Sequence, residues 1–387
     1  MSVPDWLQQR LAAAGGSVSF RRYMEWVLHD PVFGAYGSGQ LRIGPTGDFT
    51  TAPSLGPDFA ALLAPQIAAW FEELAANTSR STPLALIETG PGEGTLAADL
   101  AVQLVSGWPE LAKRITLVLV EPNPGMAARQ QRQLATSALP CRWVSLEQLA
   151  QSPPVGIMLA HEVLDALPVD RIIWDGSCWR RQEVTLAADD SDEITLRLSP
   201  GPALDCEALV ALETMGLGSE AEQRPAGWST ELHPALLPWM ASAAKGLRTG
   251  VLLVVDYALE AWRYYAPSRS SGTLLAYKGQ QLNADPLQAP GESDLTAHLC
   301  IESLLQAAQA SGWTLLGHCK QGQALLALGL AERLHALQHG NGRPLADRLA
   351  SREALLRLVD PHALGDFRWL AFSRGETLLL PRFLQNP

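Results

Sequence analysis

The stretch "PLALIETGPGEGTLAADLAVQLV", residues 83–105, carries three textures in succession. The apolar run Leu84 to Ile87 reads as a buried strand, "TGPGEG" as a tight glycine turn, and the Ala- and Leu-rich remainder as a helix. The same order recurs further along. "ITLVLVEPNPGMAARQQRQLA" (115–135) is again strand, turn and helix, with the strand ending at Glu121 and the helix starting near Pro124. "CRWVSL" (141–146), "VGIMLAHE" (155–162) and "GVLLVVDY" (250–257) read as further strands. Nearly all-apolar strands alternating with helical stretches mark a parallel sheet covered on both faces. The sequence therefore predicts an α/β fold, a doubly wound sheet over residues 83–387. A helical N-terminal extension (1–82) with a lid-like loop precedes it, and two insertions read as cap elements. The first, at about 171–232, is expected to hold two strands; the second, at about 258–297, is loop-rich.

Elsewhere the punctuation is local. "SFRRYMEWVLHD" (19–30) predicts a helix capped by Ser19 and stopped by Pro31. The Gly- and Pro-rich 31–56 reads as a long ordered loop or lid, and 57–74 as a second helix. The C-terminal part predicts helices near 233–247 and 298–311, a strand at "WTLLGH" (313–318), two more helices and a closing strand at "FSRGETLLL" (372–380).

Of the 387 residues, 47% are hydrophobic and 18% charged, enough for a sizeable core, and the formal net charge is −11. That charge argues against a nucleic-acid binder, which normally shows a basic face. The five cysteines are scattered without metal-ligand spacing and read as buried thiols in a reducing compartment; no metal site is expected. The first twenty residues lack a basic region followed by an apolar run, and no segment is long and apolar enough to insert in a membrane. A cytoplasmic enzyme is the resulting expectation.

The glycine turn is the first chemical clue. Glycines before a helix let backbone approach a ligand, while the helix N-terminus offers free N–H groups. A dinucleotide fingerprint counted from Gly90 would need glycine at position 95, which is Thr95. The pattern present is E-x-G-x-G-x-G, with Glu88 two residues before Gly90, then Pro91, Gly92 and Gly94. S-adenosylmethionine (SAM) enzymes use that form, which makes the expected fold a Rossmann-like class I methyltransferase sheet; an ordinary tight turn is the plain alternative. Glu121 ends the second strand, where a carboxylate can accept both ribose hydroxyls of a nucleoside. Glu147 follows the third strand, either reaching a base or simply solvated.

The fourth strand ends in "LAHEVLDALPVDR" (159–171), beside the first in a doubly wound sheet. Glu162 and Asp165 should then face the ligand above the glycine turn. Two carboxylates there could grip a planar guanidinium and accept its proton. Alternatively Asp165 caps a short helix and Glu162 is solvated. Strand alternation points His161 away from the Glu162 side. The stretch lacks the [DN]-P-P-[FY] tetrapeptide common in enzymes that methylate amide or base nitrogens.

Several unlinked stretches together resemble one family, the MidA-type SAM-dependent methyltransferases. They are "SFRRYMEWVLHDPVFGAYGS", "GDFTTAPSLG", "IETGPGEGTLAADL", "AHEVLDALPVDR", "LLVVDY" and "DPLQAPGESDLTAHL", in family order from about residue 19 to 330. The resemblance implies SAM as cofactor and N-methylation of an arginine in a protein, with a part in assembling a respiratory-type NADH dehydrogenase complex. The protein partner would present that arginine. The resemblance also brings Gly47, Asp48, Phe49 and Thr51 close to the cofactor, though Asp48 and Thr51 could merely cap a turn. It nominates Asp294 and His298 for the active site, where a strictly structural role is the alternative for each. The family usually carries Asn where this chain has His161 and an aliphatic residue where it has Thr89, and "LVDPHALGDFRWLAFSRG" matches its closing motif only loosely. A non-catalytic assembly protein retaining the fold, or a methyltransferase for a small molecule or RNA, remain open as alternatives.

Overall fold

The computed structural model describes residues 3–188, 194–217, 224–339, 342, 344–375 and 380–385. Its centre is a seven-stranded sheet: β1 (Leu84–Thr89), β2 (Ile115–Val120), β3 (Cys141–Val144), β4 (Val155–His161), β5 (Thr249–Asp256), β6 (Thr314–Lys320) and β7 (Arg368–Arg374). The order across the sheet is β6-β7-β5-β4-β1-β2-β3. Strands β1 to β5 run parallel, and β7 is antiparallel to both β5 and β6. The order reverses between β1 and β4, whose carboxyl ends therefore diverge into a crevice, the usual ligand position of an open α/β sheet.

Alternating residues of each strand feed two cores. Leu84, Leu86, Leu117, Ile157 and Leu253 pack with the helices Asp58–Ala76 and Thr95–Gly107 on one face. Ala85, Ile87, Val118, Met158 and Leu252 pack with Leu236–Lys245 and Ile301–Ala310 on the other. Burial on both faces explains why these strands read as unbroken apolar runs.

The N-terminal extension is knitted into the rest. Ser19 caps the helix Phe20–His29, its hydroxyl accepting from the Arg22 N–H. Residues Ser17–Ser19 pair with Trp179–Ala188 of the first insertion. Leu7, Phe20, Tyr23 and Met24 share a third core with Val184 from that insertion and with Leu274 and Leu295 from the second.

Four expectations need correction. The first insertion is not two-stranded: Asp170–Trp174, Trp179–Ala188, Ile194–Ala203 and Ser229–Leu232 join Ser17–Ser19 in a five-stranded sheet. A buried Arg171–Glu231 pair at 3.3 Å links its strands, and such long-range pairing leaves no periodicity to read. The second insertion is more ordered than loop-rich, with a three-stranded sheet of Leu275–Lys278, Gln281–Asn283 and Asp294–Thr296. Three helices rather than two lie between β6 and β7: Gln321–Ala327, Leu330–Gln338 and Leu345–Leu358. The closing strand begins at Arg368 and ends at Arg374, and residues 376–379 of the expected run lie outside the described residues.

Candidate functional site

A cavity of about 730 Å³ opens above the carboxyl ends of β1, β2 and β4. Its floor is the glycine turn. Gly90 and Gly92 have φ of +57° and +53°, where a side chain is strained. A Cβ on Gly90 would come within 2.9 Å of Val163, and one on Gly92 within 2.9 Å of Ile43. Gly94, also left-handed, caps the helix Thr95–Gly107 and stands behind the cavity wall rather than in it. Glu88, Pro91 and Thr95 line the cavity with Gly90 and Gly92. Glu88 is 5% exposed, its Oε2 has no hydrogen-bond partner, and burial pushes its carboxyl up to about 8.

Glu121 lines the same cavity just past β2 and is held from three sides. Oε1 accepts from the Asn123 N–H (2.9 Å) and Nδ2 (3.0 Å), and Oε2 accepts from Gln130 Nε2 (2.9 Å). Gln130 is fully buried and also donates to the Gly92 carbonyl at 2.9 Å, while its own oxygen accepts from Trp143 Nε1. One amide thus ties the glycine turn to the acid on the next strand. Sequence reading passed over Gln130, whose polar helix gives no hint of a contact 38 residues back. Glu147 lines the cavity too, with its side chain largely in solvent.

At the end of β4 the chain turns sharply. Glu162 has φ +53°, an uncommon conformation for a side-chain-bearing residue that costs about 1–2 kcal/mol and marks functional turns. This twist breaks the strand alternation that predicted His161 and Glu162 on opposite sides: His161 Nδ1 lies 3.4 Å from Glu162 Oε1. Burial pulls the imidazole down to about 4, so His161 is neutral near pH 7, edge-on to Phe59 at 5.3 Å. Asp256, completely buried at the end of β5, holds the turn in place. Its Oδ2 accepts from the N–H groups of Val163 (3.3 Å), Leu164 (3.0 Å) and Asp165 (3.3 Å). No helix follows Asp165, so it caps none. Asp256 was missed although "LLVVD" has the same apolar-run-then-acid form as the ends of β1, β2 and β4.

Glu162 also faces a side pocket of about 180 Å³ that shares Tyr36, Phe49 and Glu162 with the main cavity. Asp165 and Asp294 line it, with Tyr257 and Tyr277. Burial, with the charge of Asp165 beside them, pushes Glu162 well above the usual carboxylate range and Asp294 up to about 8, and burial alone pushes Asp165 up to about 7. Among the described residues none of these acids, nor Asp256, forms an ion pair with Lys or Arg. The Ala52 N–H donates to the Glu162 carboxylate, whose Oε1 has no hydrogen-bond partner.

The lid-like loop splits in two. Phe49 and Thr51 line the main cavity. Gly47 and Asp48, expected beside the cofactor, instead shape the loop. Asp48 accepts from the Arg42 N–H (2.9 Å), the Gly279 N–H (3.2 Å) and, through its carbonyl, the Gln280 N–H (2.7 Å). A Cβ at Gly47 would fall 2.3 Å from the Arg42 carbonyl. His298 also departs from expectation. It lines neither cavity, donates its N–H to Thr273 Oγ1 at 3.1 Å, and packs its ring 5.4 Å behind Tyr257.

The crevice fits SAM on three grounds: backbone room at Gly90 and Gly92, a pre-oriented carboxylate at Glu121, and an unpaired buried carboxyl oxygen on Glu88 suited to an ammonium group. Comparison with known proteins agrees. A family model described as "Putative S-adenosyl-L-methionine-dependent methyltransferase" matches residues 62–319. The Homo sapiens protein named "Protein arginine methyltransferase NDUFAF7, mitochondrial" is 27% identical over 96% of this chain and 83% of its own length. Its Danio rerio namesake is 26% identical over 95% and 85%. A crystal structure of a COG1565 superfamily member from Burkholderia thailandensis, bound to S-adenosyl-homocysteine (SAH), superposes with a TM-score of 0.82 at 28% identity. That match covers 98% of this chain and 94% of the other. The relatives' names place them in mitochondria, which overturns the expectation of a cytoplasmic enzyme; the make-up of the first twenty residues was too weak a ground for it. Among the described residues no helix is long and apolar enough to cross a membrane. With a glycine-floored crevice, a relative crystallised on SAH and a family model spanning two thirds of its length, the chain belongs to the S-adenosyl-L-methionine-dependent methyltransferases and uses S-adenosyl-L-methionine as its cofactor.

Proposed function

We propose that this methyltransferase acts on an arginine side chain of a protein, and that the side pocket receives the guanidinium. The observation that carries the reading is the group of buried acids with no Lys or Arg partner among the described residues. Like charges this close cannot all ionise, so the empty pocket retains protons until a cation arrives. A guanidinium offers five donors in a plane and suits opposed carboxylates.

SAM supplies an electrophilic methyl group on a sulfonium. The protein's part is positioning and proton transfer. Glu121 would accept from the ribose, Glu88 and the turn at Gly90 and Gly92 would hold the amino-acid end, and Phe49 and Thr51 would close the lid. The extension 1–82 supplies that lid to the methyltransferase domain. Glu162, at the neck shared by both cavities, orients the attacking nitrogen. The N–CH₃ bond forms as the S–CH₃ bond breaks, and the nitrogen's proton passes to Glu162, with Asp165 beside it sharing in the hold on the guanidinium. The relatives' name supports a protein-borne arginine as acceptor. A respiratory-complex subunit is the acceptor we infer from the family resemblance.

The test is trideuteromethyl-labelled SAM added with purified enzyme to a lysate from a deletion strain, followed by peptide mass spectrometry. Label on arginine is expected, and its disappearance with Glu162→Gln. Label on another residue type, or only on small molecules, would replace the reading.

A further inference from the structure

Asp294 has no task in that scheme. It begins the short strand Asp294–Thr296, opposite Tyr277 of Leu275–Lys278 in the second insertion, and is 2% exposed. Its Oδ1 accepts from the Tyr36 hydroxyl at 2.9 Å, and no basic side chain among the described residues pairs with it. Anchoring Tyr36 would need only a neutral acceptor; an ionisable acid kept out of water is costly unless a charged group comes to it. A second observation lies in the same pocket. Asp165 Oδ1 and Glu162 Oε1, on side chains 5% and 8% exposed, have no hydrogen-bond partner.

The geometry points to Asp294 as a specificity-determining residue, the far-wall carboxylate that takes the guanidinium nitrogen not offered to the methyl group. This rests on reading the side pocket as the acceptor site. Glu162 belongs to the neck and also lines the main cavity, whereas Asp294 lines the side pocket alone. A compact ammonium satisfies one wall; a planar guanidinium, with donors on both terminal nitrogens, can answer both. Tyr36 bridges the two regions, lining both cavities while its hydroxyl fixes Asp294. Asp294 thereby makes the pocket choose arginine over lysine.

The experiment titrates methylguanidinium and methylammonium into the SAH-saturated full chain, with affinity read by saturation-transfer NMR. The wild type should prefer methylguanidinium by at least about tenfold, the scale of one charge-assisted hydrogen bond. Asp294→Asn should weaken methylguanidinium by about tenfold or more, leave methylammonium within a few-fold and erase the preference. SAH affinity reports folding; should the Asn variant lose it, Asp294→Ser, which still offers Tyr36 a hydroxyl partner, is read by the same criteria. Equal losses for both probes, or no loss for either, with SAH binding intact, would overturn the assignment while leaving the acceptor site standing. Failure of methylguanidinium to bind the wild type would overturn the acceptor site and the assignment together.

Discussion

The two halves of the crevice treat their acids in opposite ways. In the cofactor half, Glu121 accepts three hydrogen bonds from Asn123 and Gln130, and the same Gln130 fixes the Gly92 carbonyl. In the side pocket, Glu162, Asp165 and Asp294 crowd together with no Lys or Arg partner among the described residues, and two of them keep an unpaired oxygen. Glu88, in the cofactor half, also keeps an oxygen without a hydrogen-bond partner, which suits it to an ammonium group. On the reading proposed above, the neutral ribose needs a pre-set acceptor, and Asn123 and Gln130 orient Glu121 for it. Charged ligand groups are met differently: the protein leaves the acids incomplete and lets the ligand finish them.

The largest expected effect breaks the incomplete half. Glu162→Gln keeps the shape of the neck but removes the carboxylate; turnover should fall by about 10²- to 10⁴-fold while calorimetry finds SAH affinity within a few-fold. A large loss of SAH affinity would place Glu162 in the cofactor half instead. Breaking the complete half is expected to cost less. Gln130→Leu strands Glu121, the Gly92 carbonyl and the Trp143 N–H, so stability should drop by about 1–3 kcal/mol. SAH should bind about tenfold more weakly, with turnover at saturating cofactor little changed. An unaltered SAH affinity would mean that the Gln130 bridge has no bearing on the cofactor.

The pH response sharpens the contrast. Asp165 is pushed up to about 7 by burial, and Asp294 up to about 8 by burial and by the neighbouring Asp165; Asp256 sits behind them, and His161 stays neutral. Tyr36, Tyr257 and Tyr277 are all raised and do not ionise in this range. Protons therefore compete with a cationic acceptor, and its KM should fall as pH rises from about 6 to 8.5, a window bracketing those values. Stability should move the other way in the empty protein. Carboxyls whose folded values exceed their unfolded ones stabilise the fold fully below about pH 4, and that contribution is lost as pH rises through 7 to 8. The thermal midpoint should accordingly decline between pH 6 and 9, and Asp294→Asn should flatten the decline. A pH-independent KM would mean that the side-pocket acids are already ionised. The smallest effect belongs to His161→Asn: a neutral ring wedged against Phe59 has no proton to exchange near pH 7, so turnover should change less than about threefold. A larger loss would give His161 the proton-carrying role its burial denies.

Sequence reading reached the sheet because each β-strand of the central layer is buried on both faces, which writes itself as an apolar run. It reached Glu88, Glu121, Glu162 and Asp165 because an acid that ends such a run is conspicuous. It failed where the fold depends on distant partners. The five-stranded cap needs Ser17–Ser19 to meet a strand some 160 residues later, and Asp48 serves a turn at Gly279 rather than the cofactor. The positive φ of Glu162, which brings its carboxylate to His161, is held by Asp256 about 90 residues away. No local period encodes any of these contacts.

Methylguanidinium binding to the SAH complex, measured by calorimetry at pH 7 in two buffers of different ionisation enthalpy, tests the incomplete half most directly. The account predicts a heat that differs between the buffers and corresponds to protons released as the cation displaces them from Glu162, Asp165 and Asp294. Binding with a heat independent of the buffer would contradict it, because the acids would then have been ionised before the cation arrived.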